Sequence, residues 1–373
     1  MKHFPRFNIF TDNRRLQNKL YLLLNATKLF FLKFLSLALF QLSCSLQVDA
    51  QVGGASTYDF LNLVTSARNA ALGGRMISSA NGDLGTVWQN PALLTADMHQ
   101  NIVLSYNDLF AGAGYGYAAY AFDRPGWGTF AAGVQYVDYG TFRGADNFGN
   151  LMGDFFAKDF VLNLSYARTI DSSFFVGINV KPIYSTYERY VSMGIATDLG
   201  VTYLSHDGNF SASLVLRNMG TQLKTYASTY EPLPFEILAG FSQKLQYAPF
   251  RFSFTFHHLQ HFNMYYDSQL QEETLVSNQK SDGEKLLENI LRHFIGSLEF
   301  LPSKTLYIAA AYNYQRRQEM ALHDAPGIVG FSFGAGIRTQ KFSISYGHAV
   351  YHAAGGSDHF SILMNLGNFT RKQ

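Results

Sequence analysis

Two runs of histidine are the first groups in this sequence that could do chemistry. His257, His258 and His261 lie close together, as do His348, His352 and His359. Imidazoles suit zinc, but zinc ligands must converge at about 2 Å from the metal. His257 and His258 are consecutive, and consecutive strand residues point to opposite faces. The others fall at predicted strand ends or in loops, so all six read as solvated rim histidines. Gly112-Ala113-Gly114-Tyr115-Gly116 lacks the Lys-Ser/Thr of a phosphate loop and leads into a strand, so it reads as a flexible loop. Serines are plentiful, yet no Gly-x-Ser-x-Gly elbow is read among them, and none is paired with a histidine in the way an outer-membrane phospholipase requires. No catalytic residue, metal or cofactor is predicted, and the chain is read as not an enzyme.

The elements that carry these residues are strands with a period of two. In Phe250-Arg251-Phe252-Ser253-Phe254-Thr255-Phe256-His257 four Phe share one face and polar residues take the other. Residues 210–217, 342–347 and 360–366 repeat the pattern. A soluble β-sandwich also alternates, so a further discriminant is needed.

Composition supplies part of it. The chain has 373 residues, with 16% aromatic against 15% charged residues, 33 Phe, 23 Tyr and 32 Gly. Soluble domains average about a quarter charged, and this much apolar surface rules out disorder. Mean hydropathy is nonetheless −0.05, and residues 51–373 contain no uncharged apolar run of the roughly 18 residues that a spanning helix needs. A transmembrane β-barrel averages apolar and polar positions in this way.

Residues 1–50 differ. Seven basic residues precede the apolar run Phe34–Phe40, and Val48-Asp49-Ala50 offers a small-residue cleavage site. This is the order of a secretory signal peptide, with a start downstream of Met1, a membrane anchor and lipidation at Cys44 as the alternatives. Its removal takes seven of 29 basic and two of 27 acidic residues, leaving about −3. The basic pI then belongs to the leader, and no nucleic-acid partner is implied. Cys44, the only cysteine, leaves with it.

Connection lengths decide between sandwich and barrel. Fourteen strand centres fall near 103, 118, 132, 164, 180, 198, 213, 239, 254, 297, 310, 333, 346 and 362. Short turns such as Asp123-Arg124-Pro125-Gly126, Asp171-Ser172-Ser173 and His206-Asp207-Gly208-Asn209 alternate with the longer stretches 139–158, 219–235, 259–292 and 316–328. Outer-membrane barrels have short periplasmic turns, long extracellular loops and an even strand number. The reading is an all-β, 14-stranded antiparallel transmembrane β-barrel over 99–373. Tyrosines near segment ends, including Tyr265 and Tyr266, suit interface girdles.

Residues 51–98 fit a small N-terminal plug in the lumen, a periplasmic cap being the alternative. Ala67–Leu72 favours helix, ended by Gly73-Gly74. Asn90 suits an N-cap, with Pro91 at the first helical position before Ala92.

A plug with Asn90-Pro91-Ala92 ahead of fourteen strands resembles the FadL family of outer-membrane proteins. More narrowly, Gly53–Leu63, Ser66-Ala67-Arg68, Ala71–Gly74 and Asn90–Leu94 are similar to the PorQ family, FadL-like components of the type IX secretion system. The resemblance implies a non-catalytic member of an attachment complex that processes secreted cargo and joins it to lipopolysaccharide. It implies a PorZ-like surface protein held at the membrane, with a PorU-like sortase and a PorV-like shuttle as further partners. A FadL-like channel for hydrophobic small molecules is the alternative; it needs an apolar groove and a gap in the wall.

Partner contacts are sought on the longer connections. Glu284–Arg292 places Leu287, Ile290 and Leu291 at i, i+3, i+4, an amphipathic helix. Its apolar face either meets a partner or folds over the barrel mouth. Phe142, Phe148, Phe155, Phe156, Tyr226 and Tyr230 are aromatics suited to self-packing or to an interface.

Overall fold

The computed structural model describes residues 56–109, 112–146, 148–264, 281–321, 327–352 and 355–370. The predicted leader, the run 53–55, and Tyr265 and Tyr266 lie outside them.

Among the described residues fourteen strands form one ring. They are β1 (Asn101–Asp108), β2 (Gly114–Arg124), β3 (Gly128–Ala145), β4 (Leu151–Thr169), β5 (Phe174–Tyr187), β6 (Tyr190–Leu204) and β7 (Phe210–Lys224). Then come β8 (Glu236–Lys244), β9 (Phe250–Phe256), β10 (Phe294–Phe300), β11 (Leu306–Asn313), β12 (Phe331–Arg338), β13 (Phe342–His352) and β14 (Gly355–Asn365). Each pairs antiparallel with its chain neighbours, and β1 closes on β14 from Asn101↔Asn365 to Asn107↔His359. All fourteen predicted centres fall in their own strands.

The period of two explains the closure. Ser105, Ser213, Ser253, Thr255, Ser345 and Ser361 point into the lumen and are buried, while Leu104, Leu162, Leu214, Phe333, Ile344, Phe360 and Ile362 are exposed on the outside. Backbone groups in hydrocarbon must pair, and a ring leaves no edge unpaired. An apolar exterior around a polar interior in a closed antiparallel ring is the form of a bacterial outer-membrane protein, which this chain is. No helix among the described residues is long and apolar enough to cross a membrane.

The short turns mark the periplasmic end. Their carboxylates are well held: the Ser205 hydroxyl and the Asn209 amide donate to Asp207 and bring its pKa down to about 2. The opposite end departs from the predicted loops. The stretch 139–158 is mostly strand, because β3 and β4 run on as a hairpin to a turn at 146–150. Cross-strand aromatics support that extension, with Phe142 stacked on Phe155 at 5.2 Å. Strand β7 likewise continues to Lys224. Two helices occupy the other long connections, α2 (Asp282–Arg292) and α3 (Tyr314–Met320).

Residues 56–98 lie inside the ring as a plug of single turns and one short helix, α1 (Ala67–Ala71). Ser66 caps α1, and Gly73 (φ 90°) and Gly74 (φ 87°) end it in the left-handed region. Leu61, Leu84, Val87, Trp88, Leu94 and Met98 form a core with the wall residues Val103, Tyr115, Tyr117, Val161 and Ile183. Trp88 meets Tyr117 edge-on at 5.6 Å.

Candidate functional site

The plug rests on two pairs of wall glycines. Gly177 of β5 is opposite Gly200 of β6, and the Asn90-Pro91-Ala92 turn sits against them. A Cβ at Gly177 would lie 2.4 Å from the Pro91 carbonyl carbon, and one at Gly200 would lie 2.2 Å from Asn90 Oδ1. Asn90 holds the turn from both sides, its Oδ1 accepting from the Ala92 amide at 2.9 Å and its Nδ2 donating to Thr202 Oγ1 at 3.0 Å and Ile77 O at 2.7 Å. The predicted N-cap and first-position Pro are thus in place, on a 3₁₀ turn, Pro91–Leu93.

The second pair is Gly334 of β12 and Gly347 of β13, which seat α1. A Cβ at Gly347 would lie 2.2 Å from the Ala67 carbonyl oxygen, and one at Gly334 2.5 Å from Ala71 Cβ. The β5/β6 and β12/β13 seams are seven strands apart on a ring of fourteen. The plug is therefore wedged across the lumen between opposite walls.

Buried charge pins it further. Arg68 Nε donates to Glu299 Oε1 at 2.9 Å, and Arg251 Nη1 lies 3.1 Å from Glu299 Oε2. Arg75 pairs with Glu236, whose other oxygen lies 3.5 Å from Arg217 Nη1. Arg217 also donates to Leu61 O at 3.2 Å. Lys181, wholly buried, lies 2.6 Å from Asp198 and 4.3 Å from the Trp88 ring centre. These groups were missed from sequence alone. Their signal was charge on the small-residue face of a strand.

The histidine reading is corrected at two points. His257 and His359 are not solvated rim groups but buried side chains, His359 lying 2.9 Å from Asn107 Oδ1 through its Nδ1. His257 and His258 do not diverge: β9 ends at Phe256, and His258 takes φ 54°. The left-handed residue turns the two rings together, with Nδ1 to Nδ1 at 2.6 Å and Glu236 Oε1 3.6 Å from His258 Nδ1. Both lie beyond the membrane-spanning strand. Burial, then the Arg75 charge, pushes the His258 imidazole down to about 4, and the same causes hold His257 well below its usual value. Three possible ligands, one carboxylate and two imidazoles, thus meet in one place. They fit a cation poorly, because two guanidinium groups already hold the carboxylate and the facing nitrogens are close enough to share one proton.

The spacing Gly330-Phe331-Ser332-Phe333-Gly334 matches that of a nucleophile elbow, a signal the sequence reading passed over. Ser332 lies within β12, facing the lumen, where Arg316 Nη1 donates to its hydroxyl at 3.2 Å. It is a strut rather than a nucleophile on a strand-to-helix turn.

The loop candidates separate. Phe142 and Phe148 are exposed, Phe148 at 91%, and Phe156 is exposed while Phe155 is half-buried. Tyr226 turns inward, packed on Tyr58 and Tyr187, with its hydroxyl on Ser185; Tyr230 is exposed. On α2, Leu287 and Ile290 face outward with Leu286, Leu291 is half-buried, and Glu288, Asn289 and Arg292 are buried. The helix turns its polar side inward onto the connection that follows β9, held by Asn289 Nδ2 donating to Phe262 O and Asn289 Oδ1 accepting from the Met264 amide.

No protein-family model matches the chain, and no curated protein does. Among solved structures it is similar to the toluene transporter TodX of Pseudomonas putida, with TM-score 0.47 and 12% identity over 81% of this chain and 98% of that one. It is also similar to a FadL homologue of Pseudomonas aeruginosa, with TM-score 0.43 and 11% identity over 81% and 98%. The KdgM porin gives TM-score 0.34 and 5% identity over 71% and 98%.

Proposed function

We propose that this barrel is a closed, non-catalytic anchor that holds a protein partner at the outer face of the membrane. The plug braced between the two glycine seams carries the reading. With both walls engaged and two buried ion-pair groups joining plug to wall, the interior is occupied, and what the molecule offers is its rim. That rim presents Phe142, Phe148, Phe156, Leu286, Leu287 and Ile290 to the outside. The similarity of residues 53–63, 66–68, 71–74 and 90–94 to the PorQ family favours the attachment complex of a type IX secretion system. The partner would then be a PorZ-like surface protein, with a PorU-like sortase and a PorV-like shuttle alongside.

One observation favours the channel for hydrophobic small molecules. The β4–β5 ladder is interrupted between Val161↔Ile183 and Leu164↔Val180, where Pro182 has no amide hydrogen to give. Behind the interruption stand Lys181, Asp198 and Trp88, a charged backing unlike the apolar groove that such a channel needs.

Extraction in mild detergent, pull-down and identification of co-purifying proteins tests the first reading. A surface β protein or sortase that is lost with Leu287→Gln/Ile290→Gln supports the anchor. Bound apolar ligand and no partner overturns it in favour of the channel.

A further inference from the structure

At the periplasmic end, under the plug, lies a cavity of about 380 Å³. Its roof is Arg68 of the plug, and its wall is Lys244 at the end of β8, Arg251 at the start of β9 and Arg338 at the end of β12; Lys304 comes from the turn before β11. Five cations thus line one space. Among the described residues no carboxylate is on the lining; the nearest counter-charge is the buried Glu299 behind it, already divided between Arg68 and Arg251. Asp83 borders the adjoining cleft with Arg68 and Arg338, and its two oxygens accept from Ser66 Oγ at 2.7 Å and the Gly85 amide at 2.9 Å. Arg338 donates to the Asn81 carbonyl oxygen, a neutral acceptor. Among the described residues neither Lys244 nor Lys304 has an ion pair. Counting both carboxylates, about three positive charges remain unmatched.

We propose that this cavity is a binding site for a phosphate-class anion presented from the periplasmic side. A single carboxylate would cancel one of the three charges. A phosphate group carries about −1.5 to −2 and has several strong acceptor oxygens, and guanidinium forks suit it. The cations come from four wall or turn positions and the plug, so an occupant would bridge plug to wall at the end opposite the protein-facing rim. The mouth opens beside the inner leaflet, so the phosphate can come from an anionic lipid headgroup or from a soluble phosphate. The site is independent of whether the barrel anchors a partner or conducts.

The full chain, purified in neutral maltoside detergent, is titrated with inorganic phosphate by calorimetry. In parallel it is equilibrated with phosphatidylglycerol or phosphatidylcholine vesicles, re-extracted and assayed for retained lipid by native mass spectrometry. The comparison is with Lys244→Gln/Lys304→Gln, whose lysines are exposed so that the ring still closes, as heat-dependent gel mobility checks. Lys341→Gln, on the neighbouring turn, is the control. Saturable phosphate binding weakened at least tenfold in the double variant, and unchanged in the control, supports the site with a soluble source. No phosphate binding but retention of phosphatidylglycerol over phosphatidylcholine, lost in the double variant, supports it with a lipid source. Binding of neither probe, or equal binding by wild type and double variant, overturns it.

Discussion

Substituting Ala at Gly177 and Gly347 together should free the plug while leaving the barrel intact. Each added Cβ meets backbone: at 2.4 Å from Pro91 C and 2.6 Å from Ala92 N on one wall, and at 2.2 Å from Ala67 O on the other. Ordinary contacts begin near 3.4 Å, so each seat must yield by about an ångström, and neither can yield by moving a flexible side-chain tip. Overpacking of this kind costs about 1–3 kcal/mol per site. The sites lie on opposite walls and share no partner, so the costs add to about 2–6 kcal/mol. At 1.4 kcal/mol per tenfold, the fraction of open plug should rise by roughly 30-fold to 10⁴-fold. Trypsin reports it directly, because Arg68 is buried and Arg75 paired inside the wild-type lumen. The double variant should be cut after both arginines and should gain conductance in planar bilayers, with unchanged heat-dependent mobility of the barrel. Equal trypsin resistance in a correctly assembled double variant would refute the wedge, and with it the argument that the lumen is closed.

Glu299→Gln should also loosen the plug, since it leaves Arg68 and Arg251 buried without their counter-charge, an effect of about 3–5 kcal/mol; faster trypsin cleavage after Arg68 measures it. Acid should weaken the outer end of the lumen. The folded state holds His258 at about 4 against about 6.5 when exposed. Below pH 6.5 the open state therefore takes up the proton first, and the loss grows until about pH 4, where it reaches roughly 3 kcal/mol. Hydrogen exchange around 257–264 should be unchanged between pH 8 and 7 and should accelerate between pH 6.5 and 4; a flat profile would contradict the buried neutral pair. Zinc should not bind the wild-type Glu236–His257–His258 cluster at micromolar concentration, whereas Arg75→Ala, which frees the Glu236 oxygen nearer His258 and leaves only Arg217 on the other, should create saturable binding by calorimetry.

The fold was legible because its causes are local. Alternation along Phe250–Phe256 and turn chemistry at Asp207-Gly208 each act within a few residues, and a ring follows once every strand has one apolar face. Where the reading stopped short, other forces acted. The stretch 139–158 looks like a loop by length, yet Phe142 and Phe155 find each other across the hairpin. His257 and His258 obey strand alternation only if the strand continues, and a left-handed residue ends it. The ion pairs were out of reach, since Arg68 and Glu299 are 231 residues apart. What the sequence did hold was a partial signal: charges at lumen-facing positions, and Gly177, Gly200, Gly334 and Gly347 inside strands, where glycine marks the close approach of another backbone.

That partial signal constrains function more than the ring does. A barrel of this size needs neither glycine seats nor buried Arg–Glu pairs to close, because strand pairing alone satisfies its backbone. Replacing buried ion pairs by apolar residues is often neutral or stabilising, so the lumen charges are poorly explained as sources of barrel stability. They act on the plug: each of Glu299 and Glu236 bridges one plug arginine to one wall arginine, a geometry that fixes orientation. If the plug moved in service, that double engagement would have to break at two carboxylates and two glycine seams at once. The physical economy of the molecule therefore favours a plug that stays, and work done at the two ends that it separates.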